Sequence, residues 1–93
     1  MNNKEFCEKA IALVRNYTRD QLILYSVDPV VSDDDLQEFD VYIVWNAYIL
    51  GNIKAVLATS LNDHRYYEVT YNKEKNEIYF DAYKKVENRK VEL

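Results

Sequence analysis

Residues 52–84 read NIKAVLATSLNDHRYYEVTYNKEKNEIYFDAYK, and the fold turns on how this stretch divides. Three runs rich in Val, Ile, Tyr and Phe, near 52–59, 65–72 and 77–84, are separated by polar breaks at Ser60 to Asp63 and Lys73 to Asn76. Short runs of β-branched and aromatic residues bounded by such breaks predict strands. Successive side chains of a strand point to opposite faces, so the pairing of the runs tests the reading. With Lys73 to Asn76 as a four-residue loop, Tyr71 falls opposite Ile78, Val69 opposite Phe80 and Tyr67 opposite Ala82. With Ser60 to Asp63 as the other connection, Ile53 falls opposite Tyr71, Ala55 opposite Val69 and Leu57 opposite Tyr67. These nine residues then form one apolar face, which requires a cover.

Working outward toward the N-terminus, a further strand is expected near 40–50. Here Val41, Ile43 and Trp45 alternate with Tyr42, Val44 and Asn46, and both sets are mostly apolar, which suits a central or a bulged strand. Gly51-Asn52 suits a two-residue hairpin turn with glycine first. The Ala, Leu and Ile content of 47–60 also fits a helix interrupted by Gly51, and the strand reading is preferred because it completes the shared face.

The cover comes from the first 25 residues. Phe6, Ala10, Leu13, Val14, Tyr17 and Leu24 recur three or four apart, with Glu5, Lys9, Asn16 and Arg19 between them, which predicts an amphipathic helix over about 3–25. Asn2 with Glu5 three residues on has the form of a capping box. Val27-Asp28-Pro29 ends the helix, because proline lacks an N–H and restricts the residue before it. An acidic loop at 26–40 follows, in which Ser32 before Asp33, Asp34 and Asp35 suits the start of one short helical turn. The sheet occupies about 40–84 and a tail 85–93. The expected architecture is α+β: a single domain over 1–93 in which an N-terminal amphipathic helix packs on a four-stranded antiparallel meander sheet.

Composition narrows the function classes. With 48% hydrophobic and 30% charged residues, the 93-residue chain has the apolar content of a folding domain. The single cysteine, Cys7, forms no intramolecular disulfide, and with one histidine it cannot fill a zinc or iron–sulfur site. No metal or cofactor is expected. Asn2, Asn3, Lys4 and Glu5 after Met1 do not resemble a secretory signal, and Val41 to Leu50 falls well short of the roughly 20 apolar residues of a membrane span. A cytoplasmic protein without a membrane segment is expected.

The net charge of −4 is concentrated: residues 28–40 carry six acidic groups and no basic one, among them Asp33, Asp34 and Asp35. Direct nucleic-acid binding is not expected, since phosphate contacts need clustered Lys and Arg. The acidic segment is either a solvated loop or an anionic strip that imitates phosphates and occupies a basic groove of a partner. Salt-sensitive binding is the signature of the second.

The registry also defines the opposite face of the sheet. Lys54, Val56 and Ala58 lie beside Tyr66, Glu68 and Thr70, which lie beside Tyr79, Asp81 and Tyr83. Glu68 and Asp81 are directly opposed, and like charges so placed destabilise a sheet. Either Lys54, diagonal to Glu68, offsets them with help from solvent, or two carboxylates among three tyrosines form a contact surface for a basic group of a partner. Tyrosine suits such a surface, having large apolar area and a polar tip. An acid–base pair needs a buried pocket, which a flat face does not supply, so no catalytic residues are assigned. His64 falls in a turn, Cys7 reads as a small boundary residue, and one glycine in the chain leaves no phosphate-cradling loop.

The segments VYIVW at 41–45, NIKAVLAT at 52–59, YYEVTYN at 66–72 and EIYFDAYKK at 77–85, with Glu87-Asn88, resemble a family of short proteins of unknown function from phages and prophages of Gram-positive bacteria. The resemblance covers most of the chain beyond residue 40. It implies a phage accessory protein made in the cytoplasm of a bacterial host, and it brings no catalytic residues. By analogy with small acidic phage proteins, it implies a non-enzymatic role in binding a host or defence protein. The alternative is a homo-oligomeric module that holds a small ligand, such as a nucleotide, between subunits.

Overall fold

The computed structural model describes residues 1–25, 39–61 and 63–93. Helix α1 spans Asn3–Tyr25 and is followed by strands β1 (Val41–Ile49), β2 (Asn52–Thr59), β3 (Arg65–Asn72) and β4 (Glu77–Lys84). The strands form one open antiparallel sheet in the order β1-β2-β3-β4, so each strand pairs with its neighbour in the chain. This is the α+β meander expected from the sequence, and 47–60 is strand on both sides of a tight turn. The short turn expected at Ser32 and the helix stop at Val27 to Pro29 lie outside the described residues.

The helix begins where the capping pattern places it. The Glu5 backbone N–H donates to Asn2 Oδ1 at 2.8 Å, and Asn2 Nδ2 donates to Glu5 Oε1 at 2.9 Å. One otherwise unpaired N–H of the first turn is thereby satisfied, an effect worth about 1 kcal/mol. Four-residue spacing then buries Phe6, Ala10, Val14 and Thr18 in a single stripe. The stripe lies on Ile53, Ala55, Leu57, Tyr67, Val69 and Tyr71, all buried. Thr18 Oγ1 donates to the Tyr67 hydroxyl at 3.4 Å, which gives two buried hydroxyls a partner. Leu13, expected to be buried, is exposed at the edge of the stripe.

The helix covers one end of the predicted face more fully than the other. Ile78 and Phe80 on β4 are half-buried and Ala82 is exposed. Tyr17 bridges part of the gap, its ring 5.8 Å from Tyr67 and 5.3 Å from Phe80. The remaining space is a groove of about 390 Å³ lined by Lys9, Ala12, Leu13, Asn16, Ile78 and Phe80. Phe39, read from the sequence as part of the acidic loop, is buried, with the Arg15 guanidinium 5.7 Å from its ring centre.

The pairing agrees with the sequence register at every position tested: Ile53 with Tyr71, Ala55 with Val69, Leu57 with Tyr67, then Tyr71 with Ile78, Val69 with Phe80 and Tyr67 with Ala82. One connection differs. β3 starts at Arg65 as expected, but the pairing of Ile53 with Tyr71 takes five residues between Thr59 and Arg65, one more than the break at Ser60 to Asp63, and a four-residue connection would reverse the parity of β3. The added residue, His64, takes φ 59°, and Asp63 Oδ1 accepts the Arg65 N–H at 3.1 Å. The left-handed residue turns the chain sharply enough to restore the inward face.

The first hairpin differs too. Its turn residues are Leu50 and Gly51 and its closing pair is Ile49 with Asn52, so glycine stands second, not first. Both residues have positive φ, 52° and 83°, the geometry that matches the twist of the flanking strands. Ending the turn at Gly51 frees Asn52 to start β2, and its Oδ1 accepts the Lys73 N–H at 2.9 Å. A Cβ on Gly51 would lie 2.3 Å from Lys73 Cδ. Leucine is a poor occupant of the left-handed region, whereas Asn before Gly suits this turn. Leu50→Asn is therefore expected to stabilise the chain by about 0.5–1 kcal/mol, or roughly 2–8 °C in Tm. A thermal melt in which the substitution lowers Tm counts against this account of the turn.

Candidate functional site

The face of the sheet turned away from α1 is set by the same register. Across it run Trp45, Val56, Glu68 and Asp81 in one row and Ala47, Lys54, Thr70 and Tyr79 in the next. Tyr66 pairs with Tyr83, and Tyr42 with Ala58. The face thus brings together Lys54, Tyr66, Glu68, Tyr79, Asp81 and Tyr83, as the sequence predicted. Asp33, Asp34 and Asp35 lie outside the described residues.

The opposed carboxylates are resolved unequally. Glu68 Oε1 lies 3.4 Å from Lys54 Nζ, and Glu68 Oε2 accepts the Tyr83 hydroxyl at 3.2 Å. Lys54 is nearly half exposed, at 46%, so the pair is worth at most about 1 kcal/mol. Among the described residues, Asp81 has neither an ion-pair nor a hydrogen-bond partner. The carboxylate left facing solvent is therefore that of Asp81.

The tyrosines form an ordered aromatic surface. Tyr66 and Tyr83 stack with ring centres 4.9 Å apart and planes 13° from parallel. The Tyr83 hydroxyl bonds to Glu68 and that of Tyr79 bonds to Glu77, and these bonds raise both phenols above the ordinary value of 10.0. Tyr66, Tyr79 and Tyr83 all remain exposed.

Sequence reasoning did not assign β1 to this surface. A register shift between Ile43 and Trp45 inserts Val44 as a bulge. Before it Ile43 faces the helix opposite Leu57, and after it Trp45 faces away, opposite Val56. With the bulge, Tyr42 and Trp45 both lie on the open face and Val44 is exposed, so aromatic residues stand on β1, β3 and β4 with Lys54, Val56 and Ala58 of β2 between them. Apolar residues at both parities of 41–45 were the signal of a change of face, but they do not locate it.

The open face offers exposed tyrosine rings and the Asp81 carboxylate. Among the described residues, no three His, Cys, Asp or Glu side chains converge as metal ligands. Cys7 is only part-buried, and its thiol is raised by loss of hydration, which lowers its nucleophilicity. A concavity of about 210 Å³ beside His64 is bounded by exposed tail residues 85–88. No described helix is long and apolar enough to cross a membrane.

Together these features define a small two-layer α+β protein whose helix occupies one face of a meander and whose other face is open and aromatic. The chain belongs to a family of unknown function, DUF6275, whose model matches residues 7–93. No curated protein and no solved structure matches it.

Proposed function

We propose that this chain is a phage accessory protein that acts without catalysis, by binding a host or defence protein through the open face of its sheet. The observation that carries the reading is the exposed Tyr66–Tyr83 stack beside the solvent-facing Asp81. Stacked aromatics at fixed rotamers give large contact area at low entropy cost, and a carboxylate among them selects a basic group. The acidic groups of 28–40 add a long-range attraction to the same kind of partner. The partner sought is a host-cytoplasm protein with a basic, partly apolar groove.

A second reading, a homo-oligomeric module that holds a nucleotide between subunits, draws on the same stack as a platform for a base. The carboxylates of Glu68, Asp81 and Glu77 oppose the phosphates of such a ligand, so protein binding is favoured. The test is capture from a lysate of the natural host at two salt concentrations. The wild-type chain is expected to retain a discrete protein, less at the higher salt, and a chain with Tyr66, Tyr79 and Tyr83 all changed to Ser is expected to lose it. Equal capture by the triple variant ends the protein-binding reading, and a thermal shift with nucleotides favours the second.

A further inference from the structure

Strand β1 has the composition of an interior strand and the position of an edge strand. Its nine residues, VYIVWNAYI, include no charged group. Edge strands are ordinarily guarded by charge, as β4 is by Glu77, Asp81 and Lys84 at the far edge of the same sheet. Among the described residues, no strand pairs with β1 on the side away from β2. Its side chains are exposed on both faces: Trp45 (52%) and Ile49 (66%) outward, and Tyr48 (55%) on the helix side.

We propose that two copies of this chain join β1 to β1, antiparallel about a twofold axis, to form one continuous eight-stranded sheet. The occupant is a second copy because the edge is self-complementary. Pairing a strand without charge against itself opposes no like charges, whereas stacking two open faces about a twofold brings Glu68, Glu77 and Asp81 of both copies together. The bulge at Val44 interrupts the edge, so the pairing runs along the regular segment Trp45–Ile49. Within this segment the half-exposed Trp45 and Tyr48 and the exposed Ile49, with the free backbone edge, supply part of the about 800 Å² per partner of a standard interface. This interface leaves the open face available, so it stands or falls separately from the proposed function.

Trp45 is the sole tryptophan and reports on this edge directly. Sedimentation equilibrium should give a dimer, and tryptophan emission should shift to the blue as the chain is concentrated. W45K and I49K each place two lysines across the twofold and remove apolar area, and each should weaken association about 100-fold or more. Circular dichroism confirms that these exposed positions leave the fold unchanged. The triple Tyr66, Tyr79, Tyr83 to Ser variant should remain dimeric. The proposal is overturned by a wild-type chain that stays monomeric with constant emission, by dimers that persist in both lysine variants, or by dimers lost only in the tyrosine variant.

Discussion

Val69→Glu should leave the chain without a stable fold, while Thr70→Glu, one residue along the same strand, should stay within about 0.5 kcal/mol of wild type. Val69 is fully buried in β3, between Ala55 on β2 and Phe80 on β4, under the helix stripe. Among the described residues the core around it holds no cationic group, and a carboxylate there loses its hydration, a penalty of several kcal/mol. Against a total stability of about 5–15 kcal/mol for a small domain, that removes most of the folded population. Thr70 points to the open face, directly opposite Lys54, where a carboxylate meets solvent and a positive charge. Urea titrations of the two variants measure the contrast. Similar losses in both would mean that the register, and with it the composition of the open face, is wrong.

Phe6→Ala should destabilise the chain by about 3–5 kcal/mol, the range for truncating a buried aromatic residue. Phe6 is the largest member of the helix stripe and is fully buried one turn beyond the Asn2 cap. Its removal leaves Ala10, Val14 and Thr18 as the buried residues among the described side chains of α1, and two of these are small. Lys9→Ala, on the solvent side of the same helix, should change stability by less than about 0.5 kcal/mol. If Phe6→Ala lowers the urea midpoint no more than Lys9→Ala, the stripe does not hold the helix to the sheet.

Much of this arrangement was legible before any coordinates because two periodicities had to agree. The alternation in 65–72 and 77–84, joined by a four-residue loop, admitted one register, and that register carried Glu68 opposite Asp81, Lys54 diagonal to Glu68 and three tyrosines to one face. The helix cap was legible because its chemistry is local. What escaped the sequence was set by single backbone dihedrals: Leu50 and His64 take positive φ although neither residue type announces it, and each moves a turn by one residue. A bulge in β1 was one of the two readings of its apolar residues at both parities, but those residues do not place it at Val44. Phe39 fell within the segment read as an acidic loop, and its burial beneath Arg15 depends on tertiary structure that composition does not encode.

The meander order has a consequence for biosynthesis. Every strand bonds to the strand next to it in the chain, so the sheet assembles from successive hairpins with short loop closures. Among the described elements the distant association is that of α1, whose stripe meets residues some fifty positions later, as in the bond between Thr18 and Tyr67. On a ribosome the helix emerges before the sheet, and its apolar stripe stays bare until β2 and β3 have followed. The nascent chain therefore passes through an interval in which Phe6, Ala10 and Val14 have no sheet to pack on, and completion of β3 brings it to a close.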